Sequence, residues 1–221
     1  MTPLSSTGSP IKDQNTSTAG PPLDYSFKEL KSVTDLLYEE PASGVARNRP
    51  IPRDVNANEH LDSLDNSATR SPTNEPGQRS AKLNANSVRV CNNFLFSLKS
   101  LDRVMCHLLD NPKALTWLDA SCNQITSIDE CVLQFPSLQV LYLHGNQIST
   151  FSDCLKLAQL KELRKLTLHG CPVSEKHNYK MQICAHLPQL RSLDFSTITK
   201  VDRDKVEQWY AAYKKQKARD S

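Results

Sequence analysis

The sequence predicts an α/β solenoid, with a short parallel β-sheet on a concave face and helices or 3₁₀ turns on the convex face. Three observations predict it. Residues 138–151 read Leu138-x-x-Leu141-x-Leu143-x-x-Asn146-x-Ile148-x-x-Phe151, a strand-length apolar alternation followed by a polar turn residue. The pattern returns 23 residues upstream as Leu115-x-x-Leu118-x-Ala120-x-x-Asn123-x-Ile125-x-x-Ile128, and 25 downstream as Leu163-x-x-Leu166-x-Leu168-x-x-Cys171-x-Val173. A unit of this size cannot bury its own leucines, so repetition at a fixed period is what makes a core possible.

The spacing is the leucine-rich-repeat consensus. A weaker copy, Ala85-x-x-Val88-x-Val90-x-x-Asn93-x-Leu95-x-x-Leu98, precedes the others, and Leu190-x-x-Leu193-x-Phe195 closes the series with Phe195 read as inward-pointing. The repeats therefore occupy 83–173, and a C-terminal cap follows over 174–213.

Composition separates this block from what flanks it. Only 38% of the 221 residues are hydrophobic, and nine of the thirteen prolines fall in residues 1–82. Residues 1–20 read as disordered and 45–82 as a low-complexity linker. As a random coil, a linker of about forty residues spans on the order of 35 Å. All seven cysteines lie beyond residue 82, and the odd count without a C-x-x-C pair predicts reduced, buried thiols in a reducing compartment. Neither a signal-peptide core nor an apolar run of membrane-spanning length is present, so a cytoplasmic protein without a membrane partner is expected. Net charge is +3, with the surplus in a basic tail, 214–221, instead of on a face, and nucleic acid is not the expected partner.

Between the two polar stretches, 21–44 is a helical segment. Ser26-x-x-Glu29 has the form of a capping box, and Phe27, Leu30, Val33, Leu36 and Leu37 fall at helical spacing before Pro41. A helix of about twelve residues is marginal alone, so it docks either on the first repeat or on a partner. After the first repeat, Leu101, Val104, Met105, Leu108 and Leu109 predict a true convex helix ending at Asn111-Pro112. Later connections are too short for more than a turn. Ser174 is a candidate cap for a helix bearing Tyr179, Ile183, Cys184 and Leu187. Asp202 is the expected N-cap of a last helix over 201–213, with Val201 and Val206 as a hydrophobic staple and Trp209, Tyr210 and Tyr213 on the same face.

The turn residues Asn93, Asn123 and Asn146 are expected to form a ladder satisfying buried backbone groups, with Cys171 as its last member. Residues between the consensus leucines point outward in columns about 4.8 Å apart. The columns are Ser87, Trp117, Val140, Lys165, Ser192; Arg89, Asp119, Tyr142, Thr167, Asp194; and Cys91, Ser121, His144, His169, Ser196. A face roughly 20 Å wide suits a helix or an extended peptide. Arg89, Trp117, Asp119, Tyr142, His144, Lys165, Thr167 and His169 are its candidate contact residues, Trp and Tyr being the types that dominate binding energy. His144 and His169 supply two ligands where zinc takes three or four, so no metal is expected. No catalytic motif and no cofactor-binding motif is found. The predicted function is a non-enzymatic protein-interaction module, acting as a monomer or as one piece of a larger complex. The alternative is a ribonucleoprotein component, against which the mixture of Arg89 and Lys165 with Asp119 and Asp194 counts.

PPLDYSF (21–27), LLYEEP (36–41), LYLHGN (141–146), LTLHG (166–170) and DFSTITKVDR (194–203) together resemble the leucine-rich repeat-containing protein 51 family, over about 21–44 and 85–210. That resemblance implies a small cytoplasmic, non-enzymatic protein. Relatives occur mainly in organisms with motile cilia, so it also implies an axonemal or cilium-assembly role with an axonemal partner.

Overall fold

The structure, a computed structural model, describes residues 20–43 and 82–219. The expectations for 1–19, for most of the 45–82 linker and for 220–221 lie outside the described residues. Seven strands form one sheet in chain order among the described residues. They are β1 Leu23–Asp24, β2 Ser87–Arg89, β3 Trp117–Asp119, β4 Val140–Tyr142, β5 Lys165–Thr167, β6 Ser192–Leu193 and β7 Ser196–Thr197. β1 to β6 run parallel, and β7 turns back antiparallel on β6. The convex side carries helices α1 Leu101–Leu108, α2 Phe151–Lys156, α3 Tyr179–His186 and α4 Lys200–Lys217, with 3₁₀ turns between them.

The repeat spacing sets this register. Val88, Leu118, Leu141, Leu166 and Leu193 pair in one inward column, each at most 2% exposed. Strands this short have no stability of their own. What holds them is burial of the apolar column, each large side chain contributing roughly 1.5–3 kcal/mol of transfer free energy, together with the asparagine ladder. Asn123 donates from Nδ2 to the Val90 and Ala120 carbonyls and accepts from Leu95 N. Asn146 repeats this one coil on, donating to Ala120 and Leu143 and accepting from Ile125 N. Cys171 donates to the Leu143 carbonyl in its turn.

The N-terminal segment docks on the first repeat, and it does so as a repeat. Leu23, Tyr25, Lys28, Leu30 and Val33 stand at the spacing of Leu141, Leu143, Asn146, Ile148 and Phe151. Asn93 treats the segment as its neighbouring coil, donating to Tyr25 O and accepting from Lys28 N and Leu30 N. The residue before the turn position is left-handed in every coil: Phe27, Asn92, Cys122, Gly145 and Gly170 all have φ between 52° and 71°. The expected capping box at Ser26 is therefore absent. Ser26 bonds Asp24, Glu29 is itself left-handed, and a 3₁₀ turn over Val33–Leu37 is capped by Ser32 with Asp35. Phe27 is exposed for the same reason, since the left-handed turn directs it outward.

Six further expectations are corrected. The connection after β4 holds the six-residue helix α2 and a 3₁₀ turn, Leu157–Gln159, where no more than a turn was expected. Ser174 lies in a 3₁₀ turn, Pro172–Glu175, and its hydroxyl bonds Cys171 O; α3 begins at Tyr179 after a left-handed Asn178. The last helix is capped by Thr199, whose hydroxyl accepts from Asp202 N while the Asp202 carboxylate accepts from Thr199 N. Val201, 60% exposed, staples nothing. The helix runs to Lys217, so Lys214, Lys215 and Lys217, expected in a tail, are helical. Of the thiols expected to be buried, Cys106 and Cys122 are exposed and Cys131 partly so.

Candidate partner-binding surface

Parallel pairing sets Trp117, Val140 and Lys165 side by side, and likewise Arg89, Asp119, Tyr142 and Thr167. The eight predicted contact residues thus share the concave face but do unequal work. Asp119 is 8% exposed and Thr167 only 1%, so both support the surface from beneath. Asp119 accepts from Ser121 N and Oγ and pairs with Arg89 Nε at 3.6 Å. Thr167 Oγ1 bonds His144 Nδ1 at 2.9 Å and accepts from Leu143 N.

Arg89 sits between two acids, reaching Asp24 at 3.5 Å as well as Asp119, and its guanidinium lies 5.2 Å from the Trp117 ring centre. Burial alone would raise the Asp24 carboxyl. Hydrogen bonds from Ser26 and the Arg89 charge outweigh it and hold that carboxyl below its ordinary range. Arg89 is thereby neutralised within the protein. Lys165, exposed, has no ion pair with a described residue.

The other half of the face is aromatic. Trp117 meets Tyr142 edge-on at 5.9 Å, and Tyr142 meets Phe195 at 5.4 Å. His144 and His169 stack at 4.6 Å with planes 9° apart, and Phe195 contacts both rings at 5.7 and 5.6 Å. Edge and stacked ring pairs of this kind add about 0.5–1.5 kcal/mol each beyond burial. Desolvation first, and the neighbouring His169 second, push the His144 imidazole below its ordinary pKa. Cation repulsion in a stacked pair acts in the same direction.

Phe195 is the residue that sequence reasoning misplaced. Its spacing matches the inward leucines, yet it is 61% exposed on the concave side. The cause is Asp194. Where earlier coils offer a carbonyl to the amide at the Leu168 position, as Tyr142 O does to Ala120 N and Thr167 O to Leu143 N, Asp194 Oδ1 accepts from Leu168 N and from His169 N as well. Tyr179 donates its hydroxyl to Asp194 Oδ2, a proton that burial and the nearby carboxylate keep firmly in place. The strand path breaks there, with Asp194 and Phe195 both left-handed. Ser196, expected in the third column, instead pairs back on Leu193 in β7.

Among the described residues no three His, Cys, Asp or Glu side chains come together as a metal site, and no helix is long and apolar enough to cross a membrane. What the face offers is an aromatic platform flanked by Lys165, which has no ion pair with a described residue.

Comparison with known proteins agrees with this architecture. Residues 83–220 match the family model described as Leucine-rich repeat. Over 195 residues the chain is 38% identical to leucine-rich repeat-containing protein 51 of Rattus norvegicus, covering 88% of each sequence. The chain belongs to the leucine-rich repeat-containing protein 51 family. A probable U2 small nuclear ribonucleoprotein A' of Caenorhabditis elegans is 32% identical over 88 residues, 40% of this chain and 35% of that one. Among solved structures, the Drosophila melanogaster SNF/U2A' complex matches with a TM-score of 0.51 and 23% identity, covering 82% of this chain and 93% of that one. At that identity the likeness is one of fold.

Proposed function

We propose that this protein is a non-enzymatic adaptor that binds a partner protein on its concave face. The observation that carries the reading is the continuous ring surface of Trp117, Tyr142, His144, His169 and Phe195 on the sheet, the first three half-buried and the last two exposed. Pre-organised aromatic groups on a scaffold are the usual anchors of protein recognition, because little side-chain entropy remains to be lost. The partner segment would be a helix or extended peptide with apolar side chains against the rings and a carboxylate toward Lys165. Arg89 and the buried Asp119 and Thr167 hold the platform in shape.

A ribonucleoprotein setting is the second reading, favoured by the U2 small nuclear ribonucleoprotein A' relative. On this face RNA is poorly served, since Arg89 is already paired and, among the described residues of the three columns, Lys165 is the remaining Lys or Arg. Such a role would therefore run through a protein component. The ciliary setting implied by the family resemblance concerns the partner, and it selects the extract for the test. Wild type and a Trp117→Ala/Tyr142→Ala/Phe195→Ala variant are used as baits in extract from ciliated cells. A protein captured by wild type and lost with the variant is the expected result. Equal capture by both baits would exclude the concave face. Capture that survives nuclease treatment and includes axonemal proteins would place the adaptor in the cilium, whereas RNA-binding proteins would place it in a ribonucleoprotein.

A further inference from the structure

Four of the six phenylalanines are exposed, an unusual use of this residue on a small protein. Phe195 belongs to the concave platform. The other three, Phe27 at 75%, Phe94 at 47% and Phe96 at 58%, lie on one flank, where the chain leaves the sheet. Backbone pairing brings them together: Phe27 N donates to Cys91 O and Phe94 N to Leu30 O. The repeat does not demand apolar residues there. At the positions of Phe94 and Phe96 the next coil has Gln124 and Thr126, and the one after has Gln147 and Ser149. An apolar patch confined to the N-terminal coils is thus a local choice of this sequence.

Phe96 and Val33 line a groove of about 280 Å³ together with Lys31, Lys99 and the hydroxyl residues Ser32, Thr34, Ser97 and Ser100. That volume is below the usual range for a small-molecule site and suits a single anchoring side chain. Both lysines are exposed and neither has an ion pair with a described residue. Two nearby acids already accept backbone amides. Asp35 accepts from the Lys31 and Ser32 amides, and Asp129 from the Leu98 amide. The groove is also composite, since Lys31–Thr34 come from the docked N-terminal segment and Phe96–Lys99 from the first repeat.

We propose that this groove is a second docking site, for an acidic peptide segment of a partner protein that inserts one apolar side chain against Phe96 and sets carboxylates on Lys31 and Lys99. The exposed Phe96 ring selects the anchor, and the two lysines, without an ion pair to a described residue, select the flanking charge. Because the groove exists only while residues 20–43 are docked, that segment makes a binding surface as well as closing the sheet.

The test selects peptides of about twelve residues, a length that spans such a groove, from a random phage-displayed library against the full chain. Enriched peptides are then synthesised and titrated by fluorescence anisotropy. Three chains are compared: wild type, Phe96→Ser/Lys99→Glu, and Trp117→Ala/Tyr142→Ala. The altered side chains of the flank variant are exposed, so its melting temperature should match wild type and serve as the folding control. Enrichment of Leu, Phe or Trp between Asp or Glu is expected, with affinity falling about tenfold or more in the flank variant, little changed in the concave variant, and weaker in added salt. Enrichment of nothing, of peptides without acids, or of peptides indifferent to the flank variant would overturn the proposal. So would self-association in sedimentation velocity that the flank variant abolishes, since a second copy would then be the occupant.

Discussion

His144 shows how one side chain links sheet geometry to solution behaviour. It is fixed by Thr167 Oγ1 at 2.9 Å and stacked on His169 at 4.6 Å, in surroundings that disfavour its charged form, burial first and His169 second. The folded state holds this imidazole below its ordinary value of 6.5, so on acidification the unfolded chain takes up the proton first. Its contribution to stability is therefore full above about pH 6.5 and is lost as pH falls below that value. Between pH 7.5 and 5.5, roughly spanning the ordinary histidine pKa, the melting temperature of wild type should fall more steeply than that of His144→Gln. Parallel slopes in differential scanning calorimetry would show that the imidazole keeps its solution affinity for protons. The site was legible in the sequence wherever strand alternation decides direction, as at Trp117, Tyr142, His144 and His169. It was not legible at Phe195, whose direction depends on the Asp194 carboxylate taking the Leu168 amide that a backbone carbonyl takes in earlier coils, and the His169 amide with it, a tertiary event that spacing does not encode.

At the scale of elements, the repeats with asparagine turns and helix α1 could be read from spacing because each carries several constraints at once. Leu101, Val104, Met105 and Leu108 are all buried as their 3–4 spacing predicts. The N-terminal segment failed for a definite reason. Leu30, Val33 and Leu37 satisfy a helical period, but Leu30 and Val33 equally satisfy the offsets of a repeat, and without an asparagine at Lys28 the two readings cannot be told apart. What decides is Asn93 of the next coil, whose side chain bonds the Lys28 and Leu30 amides. Helix α4 is secured by analogous side-chain bonding: Arg203 donates to Cys184 O at 2.8 Å and to Leu190 O, Tyr210 bonds His186 Nε2 at 3.2 Å, and Val206 is buried. Replacing Arg203 leaves two carbonyls in partly buried positions without their donor. Arg203→Ala should therefore cost about 1–3 kcal/mol in urea unfolding and loosen Trp209, read as a weaker near-ultraviolet dichroic signal. An unchanged unfolding midpoint would mean that α4 is held by Val206 and the ring contacts alone.

For the molecule as a whole, the governing fact is that the strand of each coil pairs only with its neighbours, while Phe195 reaches across one coil to Tyr142 and His144, so stability is close to a sum of coil and interface contributions. Both ends of the sheet are closed by antiparallel pairing: Asp24 bonds Ala42 and Ser43 at one, and β7 folds back on β6 at the other. Exposed strand edges would otherwise invite pairing between copies. Position along the array then determines the reach of a defect. Leu141 is fully buried in the middle strand, whereas Leu37 is buried in the first coil. An aspartate at either site is an unpaired buried charge, which folding cannot accommodate locally. Leu141→Asp cuts the array into β1–β3 and β5–β7, neither with enough coils to stand alone, and should abolish cooperative melting. Leu37→Asp should free only the end, with faster amide exchange in Leu23–Leu37 and the first repeat while β4 and β5 stay protected. Global unfolding by Leu37→Asp would show that the N-terminal coil nucleates the solenoid, and retention of a cooperative transition in Leu141→Asp would refute the inward column on which the whole register depends.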